Sequence, residues 1–171
     1  MKRLLTIALA AIALAMLLVS CNKDGDKNTG LGFWQVESED ANNAGYSNLY
    51  HAWYYYVEGR GYSVLFLPKD DKDNWSSYDY AYVDMPESKV GSEHNLSDDL
   101  SDAEAVWAFY AGTKTREVGN KKFEGTVFLS VNREKNNVIF RLNGTGTNGD
   151  KVKIDYIGYA SPVDSRPYLL L

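Results

Sequence analysis

The 171-residue chain has one cysteine, Cys21, and two histidines, His51 and His94. A single cysteine excludes an intrachain disulfide and a thiolate zinc site, both of which need several. The histidines stand far apart with no ligand spacing around them, so no metal or other cofactor is expected. Basic residues are outnumbered, 18 against 23 acidic, for a formal net charge of −5. Phosphate binding needs a basic face, so nucleic acid is not an expected partner. Catalytic signatures are missing too: no G-x-S-x-G elbow, no H-E-x-x-H, no phosphate-cradling glycine loop. Carboxylate pairs can serve glycosidases as acid and base, yet no local motif picks a pair out of the 23 acidic residues. Catalysis is therefore not expected. Repeats and heptads are absent, and the only long apolar run stands at the N-terminus.

That run is informative. The chain opens MKRLLTIALAAIALAMLLVSC, with Lys2 and Arg3 ahead of the apolar stretch Leu4 to Val19. It is shorter than the roughly 20 residues that span a bilayer, and it has the layout of a secretory leader. Its end, Leu18-Val19-Ser20-Cys21, resembles the lipobox of bacterial lipoproteins. The resemblance implies cleavage between Ser20 and Cys21 and acylation of Cys21, which would anchor the protein to a membrane without spanning it. Losing Lys2 and Arg3 with the leader takes the net charge to about −7 and leaves about 151 residues, one domain's worth. The next stretch, NKDGDKNTGLG, is polar and glycine-rich, as a flexible tether is. Within it Lys23, Asp24 and Asp26 resemble the surface-export signal of Bacteroidota lipoproteins. That implies an outer-membrane location with display at the cell surface, the periplasmic face being the alternative. Asp24, Asp26 and Asn28 also alternate like a calcium loop, but Thr29 and Gln35 stand where an EF-hand needs glycine and glutamate. The expected division is leader 1–20, lipidated cysteine and tether 21–32, and β domain 33–171.

From Gly32 onward the pattern has period two. Expected strands are Phe33–Glu39, Leu49–Val57, Tyr62–Leu67, Tyr78–Met85, Ala105–Gly112, Phe123–Asn132, Asn137–Asn143 and Lys151–Ala160. In the last three, Val127, Leu129, Val131, then Val138, Phe140, Leu142, then Val152, Ile154, Tyr156 make apolar faces opposite mostly polar ones. Antiparallel sheets with one wet side read this way. Asn136-Asn137 and Asn148-Gly149-Asp150 suit tight hairpins, so these strands form a meander. Ser101-Asp102-Ala103-Glu104 fits a helix capping box, but Trp107 and Phe109 alternate with Ala108 and Tyr110, favouring a strand. The fold class is all-β: a single antiparallel domain of about eight strands, an up-and-down barrel or a β-sandwich.

Gly32-Phe33-Trp34 is a G-x-W, and Asn148-Gly149-Asp150 precedes a Tyr156-Ile157-Gly158 strand. With the lipobox and tether, this layout resembles small Bacteroidota lipoproteins with a lipocalin-like, calycin β domain. The resemblance implies a barrel with Trp34 as a structural residue at its base, and a possible cavity for a small apolar ligand.

The stretch Tyr50-His51-Ala52-Trp53-Tyr54-Tyr55-Tyr56-Val57 is the densest aromatic run. Strand alternation groups Leu49, His51, Trp53, Tyr55 and Val57 as the expected core face and turns Tyr50, Tyr54 and Tyr56 outward. Tyr78, Tyr80 and Tyr82 repeat the arrangement. These six tyrosines are the candidate ligand-binding residues, an aromatic platform for a glycan or a partner protein. Two alternatives stand beside it: a carrier of a small hydrophobic ligand with those rings turned inward, and a small envelope hydrolase. Tyrosine's β-propensity also gives such rings a purely structural use.

Overall fold

The computed structural model describes residues 29–39, 44–95, 108–113, 116–119, 123–146 and 149–165. The leader, Ser20, Cys21, the tether up to Asn28, the Ser101–Glu104 box and Leu169–Leu171 lie outside the described residues.

Among the described residues, twelve strands form two six-stranded sheets. They are β1 (Gly30–Glu37), β2 (Gly45–Leu49), β3 (His51–Val57), β4 (Gly61–Leu67), β5 (Tyr80–Pro86), β6 (Glu93–Asn95), β7 (Ala108–Thr113), β8 (Arg116–Gly119), β9 (Phe123–Asn132), β10 (Asn137–Gly146), β11 (Lys151–Tyr159) and β12 (Ser161–Pro162). The first sheet runs β2-β1-β11-β10-β9-β6 and the second β12-β3-β4-β5-β7-β8. Every pairing is antiparallel except β12 with β3. The architecture is the sandwich; a closed barrel is not formed, and among the described residues no ladder joins the two sheets. Trp34 accordingly lies between two sheets and not at the base of a barrel.

The meander β9–β10–β11 forms where the sequence places it. Asn136 takes φ 49° in the β9–β10 turn, a left-handed conformation that asparagine tolerates better than most residues. The β10–β11 turn is closed by Gly146 N–H to the Asp150 carbonyl at 2.8 Å. β1 then adds to the free edge of β11. Its Gly32 has no room for a side chain: a Cβ would stand 2.3 Å from the Asp155 carbonyl oxygen. The glycine of G-x-W thus lets β1 lie close on β11 while Trp34, two residues on, enters the core. The first strand begins at Gly30, three residues before the expected Phe33.

Between the sheets lies one core. Val36, Leu129, Phe140, Leu142, Ile154 and Tyr156 come from the first sheet; Ala52, Tyr54, Val64, Phe66, Val83 and Met85 come from the second. Phe66 stacks on Phe140 across the gap at 5.3 Å and meets Tyr156 at 4.9 Å. Each such fully buried ring stabilises the fold by about 1.5–3 kcal/mol relative to exposure.

The expected strand Leu49–Val57 is in fact two strands. Tyr50 is a corner: its carbonyl accepts from Gly30 N–H in the first sheet at 2.8 Å, and its N–H donates to the Leu67 carbonyl in the second at 3.0 Å. Turning the corner resets the parity, so Leu49 and Ala52 both point into the core. The face assignment from His51 onward is therefore inverted, while Leu49 is buried and Tyr50 exposed as expected. Ala52 and Tyr54 face inward, whereas Trp53 lies on the outer side of the second sheet with Leu65 and Tyr82. A second corner follows β11, where Ala160 N–H donates to the Asn136 carbonyl at 2.8 Å before β12 joins β3.

Candidate binding surface

The six candidate tyrosines do not share a face. Tyr54 is buried between the sheets, its hydroxyl donating to Asn136 Oδ1 at 3.2 Å. Tyr80 and Tyr82 are buried on the opposite side of the second sheet. Register explains the separation: Tyr82 lies opposite Leu65, which lies opposite Trp53, while Tyr54 sits in the row of Val64 and Val83. Tyr50 alone of the six is exposed, at the corner. An exposed platform of all six is thus not formed.

The outer side of the second sheet is instead a second small core. Trp53, Leu65, Leu67, Tyr80 and Tyr82 are all buried there, with Trp75, Tyr78 and Val163 packed against them. Trp75 and Tyr78 belong to the segment between β4 and β5, where Lys72–Ser77 folds as a 3₁₀ turn and the strand expected from Tyr78 begins at Tyr80. Trp75 meets Tyr80 edge-on at 5.0 Å. Asp71 fixes the segment, accepting from the Tyr78 hydroxyl at 2.7 Å and the Asn74 amide at 2.9 Å. Those bonds, Tyr78's first, hold the Asp71 carboxyl below its ordinary pKa. His51 stacks on Trp53 at 6.1 Å, half-buried on this outer side and not in the inter-sheet core. Ser63 donates to Asp84 on the same side.

Tyr56 caps one end of the sandwich. Its ring lies under the Arg133 guanidinium at 4.2 Å and beside Tyr62 at 4.7 Å. Its hydroxyl donates to Glu87 Oε1 at 2.7 Å, and Glu87 Oε2 accepts from Gly59 N–H at 2.9 Å. That hydrogen bond pushes the Tyr56 phenol up to about 12 and holds Glu87 down. This cluster joins the β3–β4 turn, the segment after β5 and the β9–β10 turn. Its groups satisfy one another, which makes it a clasp.

The outer face of the first sheet differs from both. Leu31 (44 % exposed), Tyr46 (57 %) and Ile157 (45 %) lie open on it. Tyr46 stacks on Phe33 at 5.9 Å, and Lys153 stands 5.5 Å from the Phe33 ring. Between these apolar groups stand hydrogen-bonding side chains. Arg141 pairs with Asp155 at 3.9 Å, and the Tyr46 hydroxyl donates to Asn48 at 2.9 Å. Burial among its neighbours raises the Asp155 carboxyl above its ordinary pKa, against the pull of Arg141 and Lys153. Basic Lys151, Lys153 and Arg141 are matched by acidic Asp155, Glu37 and Glu124, so the face has mixed sign.

Sequence reasoning missed this surface. Its signal was present: Phe128, Ile139 and Ile157 interrupt the polar faces of β9, β10 and β11, where alternation calls for polar residues. Among the described residues no three His, Cys, Asp or Glu side chains converge as a metal-binding group. His94 Nε2 lies 2.8 Å from the Lys89 carbonyl oxygen. Comparison of the chain with protein-family models, curated protein sequences and solved structures finds no match in any of the three.

Proposed function

We propose that this protein is a carbohydrate-binding module of the cell envelope. It is held at the outer membrane by lipid on Cys21, displayed outward, and binds on the outer face of the first sheet. The observation that supports this reading is the exposed Tyr46 ring stacked on the half-buried Phe33 ring, set among planar polar side chains. Sugar rings offer apolar C–H faces that lie on aromatic rings, and hydroxyls that both donate and accept. Tyrosine, amphipathic and cheap to order, suits that use. Asn48, Gln35, Asp155 and Arg141 supply donors and acceptors beside the rings. An interior pocket is less favoured, because Phe66, Phe140 and Tyr156 meet across the gap between the sheets. The lipobox at Leu18–Cys21 and the Lys23, Asp24 and Asp26 match in the tether support the location.

The test is retention of the intact protein in native gels cast with soluble polysaccharides, wild type against Tyr46→Ala. Retardation by at least one polysaccharide, weakened in the variant, is expected. Equal mobility of both proteins in every gel would remove the carbohydrate reading.

A further inference from the structure

The geometry points to a site that takes a neutral glycan chain lying across the strands, long enough to reach from the Tyr46–Phe33 rings on β2 and β1 to Phe128 on β9. This rests on the carbohydrate reading above and adds direction, length and charge to it.

The argument starts from register. Asn48 pairs with Phe33, Phe33 with Asp155, Asp155 with Arg141, Arg141 with Phe128, and Phe128 with Glu93. Residues paired in this way stand side by side on one face, so these six form one row perpendicular to the strands. The row holds a ring near each end and an acid–base couple in the middle. Phe33 and Phe128 are three strand spacings apart, roughly 14 Å, which exceeds the length of a disaccharide.

Two flanking rows bound it. On one side Leu31, Ile157 and Ile139 pair in sequence and form an apolar rail. On the other, Tyr46, Gln35, Lys153, Asn143 and Thr126 form a polar one. A chain laid along the central row has one edge against hydrocarbon and the other against donors and acceptors. That suits a glycan, whose rings carry apolar C–H faces as well as hydroxyls. It does not match a protein partner, whose interface wants a contiguous apolar centre inside a polar rim.

Charge selects within glycans. Arg141 and Asp155 are adjacent and of opposite sign, with Arg141 the more exposed. Together they present donors beside acceptors, as a pair of neighbouring hydroxyls requires. A uronic acid or sulfated sugar placed there would gain Arg141 and meet Asp155 at once, so a neutral chain fits best. Lys153 stands over Phe33 and must swing aside; it is exposed and on a flexible stem.

The experiment is titration calorimetry of the intact protein with neutral oligosaccharide ladders, monosaccharide to hexasaccharide, of β-1,4-glucan, β-1,4-mannan and α-1,4-glucan. In the ladder that binds, affinity should climb steeply past the disaccharide and then level off. Phe128→Ala should lower affinity for the hexasaccharide roughly tenfold and leave disaccharide binding unchanged. Arg141→Gln should weaken every member that covers the centre of the row. Full affinity at the monosaccharide or disaccharide, with Phe128→Ala silent, would overturn the extended site while leaving a carbohydrate module standing. Binding of no ladder, in a protein that native gels show to bind a charged polysaccharide, would overturn the neutral-chain inference alone. Binding of neither kind would remove both readings.

Discussion

The two sheets share one core but have opposite outer faces. At the middle of the second sheet the outer face is as dry as the interior: Leu65 and Leu67 are fully buried, and Tyr82 is 1 % exposed. β4, at the middle of that sheet, is buried at all seven positions. On the first sheet, β10 and β11 alternate between buried and open residues along most of their length. One outer face is finished by packing against the rest of its own chain; the other is left available. A face closed by Trp75, Tyr78 and Val163 contributes stability. A face on which Tyr46 and Ile157 remain wet contributes little, which leaves its residues free to serve another purpose.

Substitutions on the two sides should separate them by size. Phe66→Ala, on the inner side of β4, is expected to cost about 3–5 kcal/mol, and Leu65→Ala, on its outer side, about 2–5 kcal/mol. Ile157→Ala, on the open face, should stay within about 0.5 kcal/mol. Urea midpoints at constant slope measure all three. Similar losses for Leu65→Ala and Ile157→Ala would erase the distinction between the faces.

The cover over the second sheet supplies a smaller effect. Trp75→Ala removes the edge-on contact with Tyr80, and the ring pairing alone is worth about 0.5–1.5 kcal/mol. The loss should appear as faster amide exchange in β5 with little change in β10. Equal acceleration in both sheets would mean that the 3₁₀ segment stabilises the whole sandwich and not this face.

The same contrast decides what could be read from sequence. β9, β10 and β11 were legible because one wet face gives alternation its amplitude: Val138, Phe140 and Leu142 are buried as their pattern requires. In β4 both faces are dry, so period two carries no information about orientation there. Tyr54 and Tyr82 looked alike in sequence and ended on opposite sides of one sheet. The corner at Tyr50 compounded this. Parity counted from Leu49 cannot survive a change of sheet, and nothing in the local residues marks the turn. The short strands β6, β8 and β12 hold two to four residues each, too few for a period to show. The surface row from Asn48 to Phe128 depends on non-local register, which the alternation of a single strand does not contain.

Two aspartates sharpen the comparison at its finest scale. Asp71 ties down the cover of the second sheet; Asp155 stands on the open face of the first. Hydrogen bonds from Tyr78 and Asn74 depress the folded-state pKa of Asp71. The stability it contributes is therefore present above the unfolded value and lost as pH falls through the folded one. Burial raises the folded-state pKa of Asp155, so its ionised form is held less well in the fold than in the unfolded chain. That cost exists above the raised value and disappears as pH falls below the unfolded one. At neutral pH, Asp71→Asn should lower stability and Asp155→Asn should leave it unchanged or raise it, both by less than the truncations above. On acidification the two differences from wild type should shrink, because the wild-type carboxyls then lose their charge as well. Urea midpoints from pH 7 to pH 3 measure the sign directly. Destabilisation by Asp155→Asn at neutral pH would mean that its pairing with Arg141 outweighs its burial. The open face would then contribute to the fold as the covered face does, and the contrast between the two sheets would narrow to hydrophobic contacts alone.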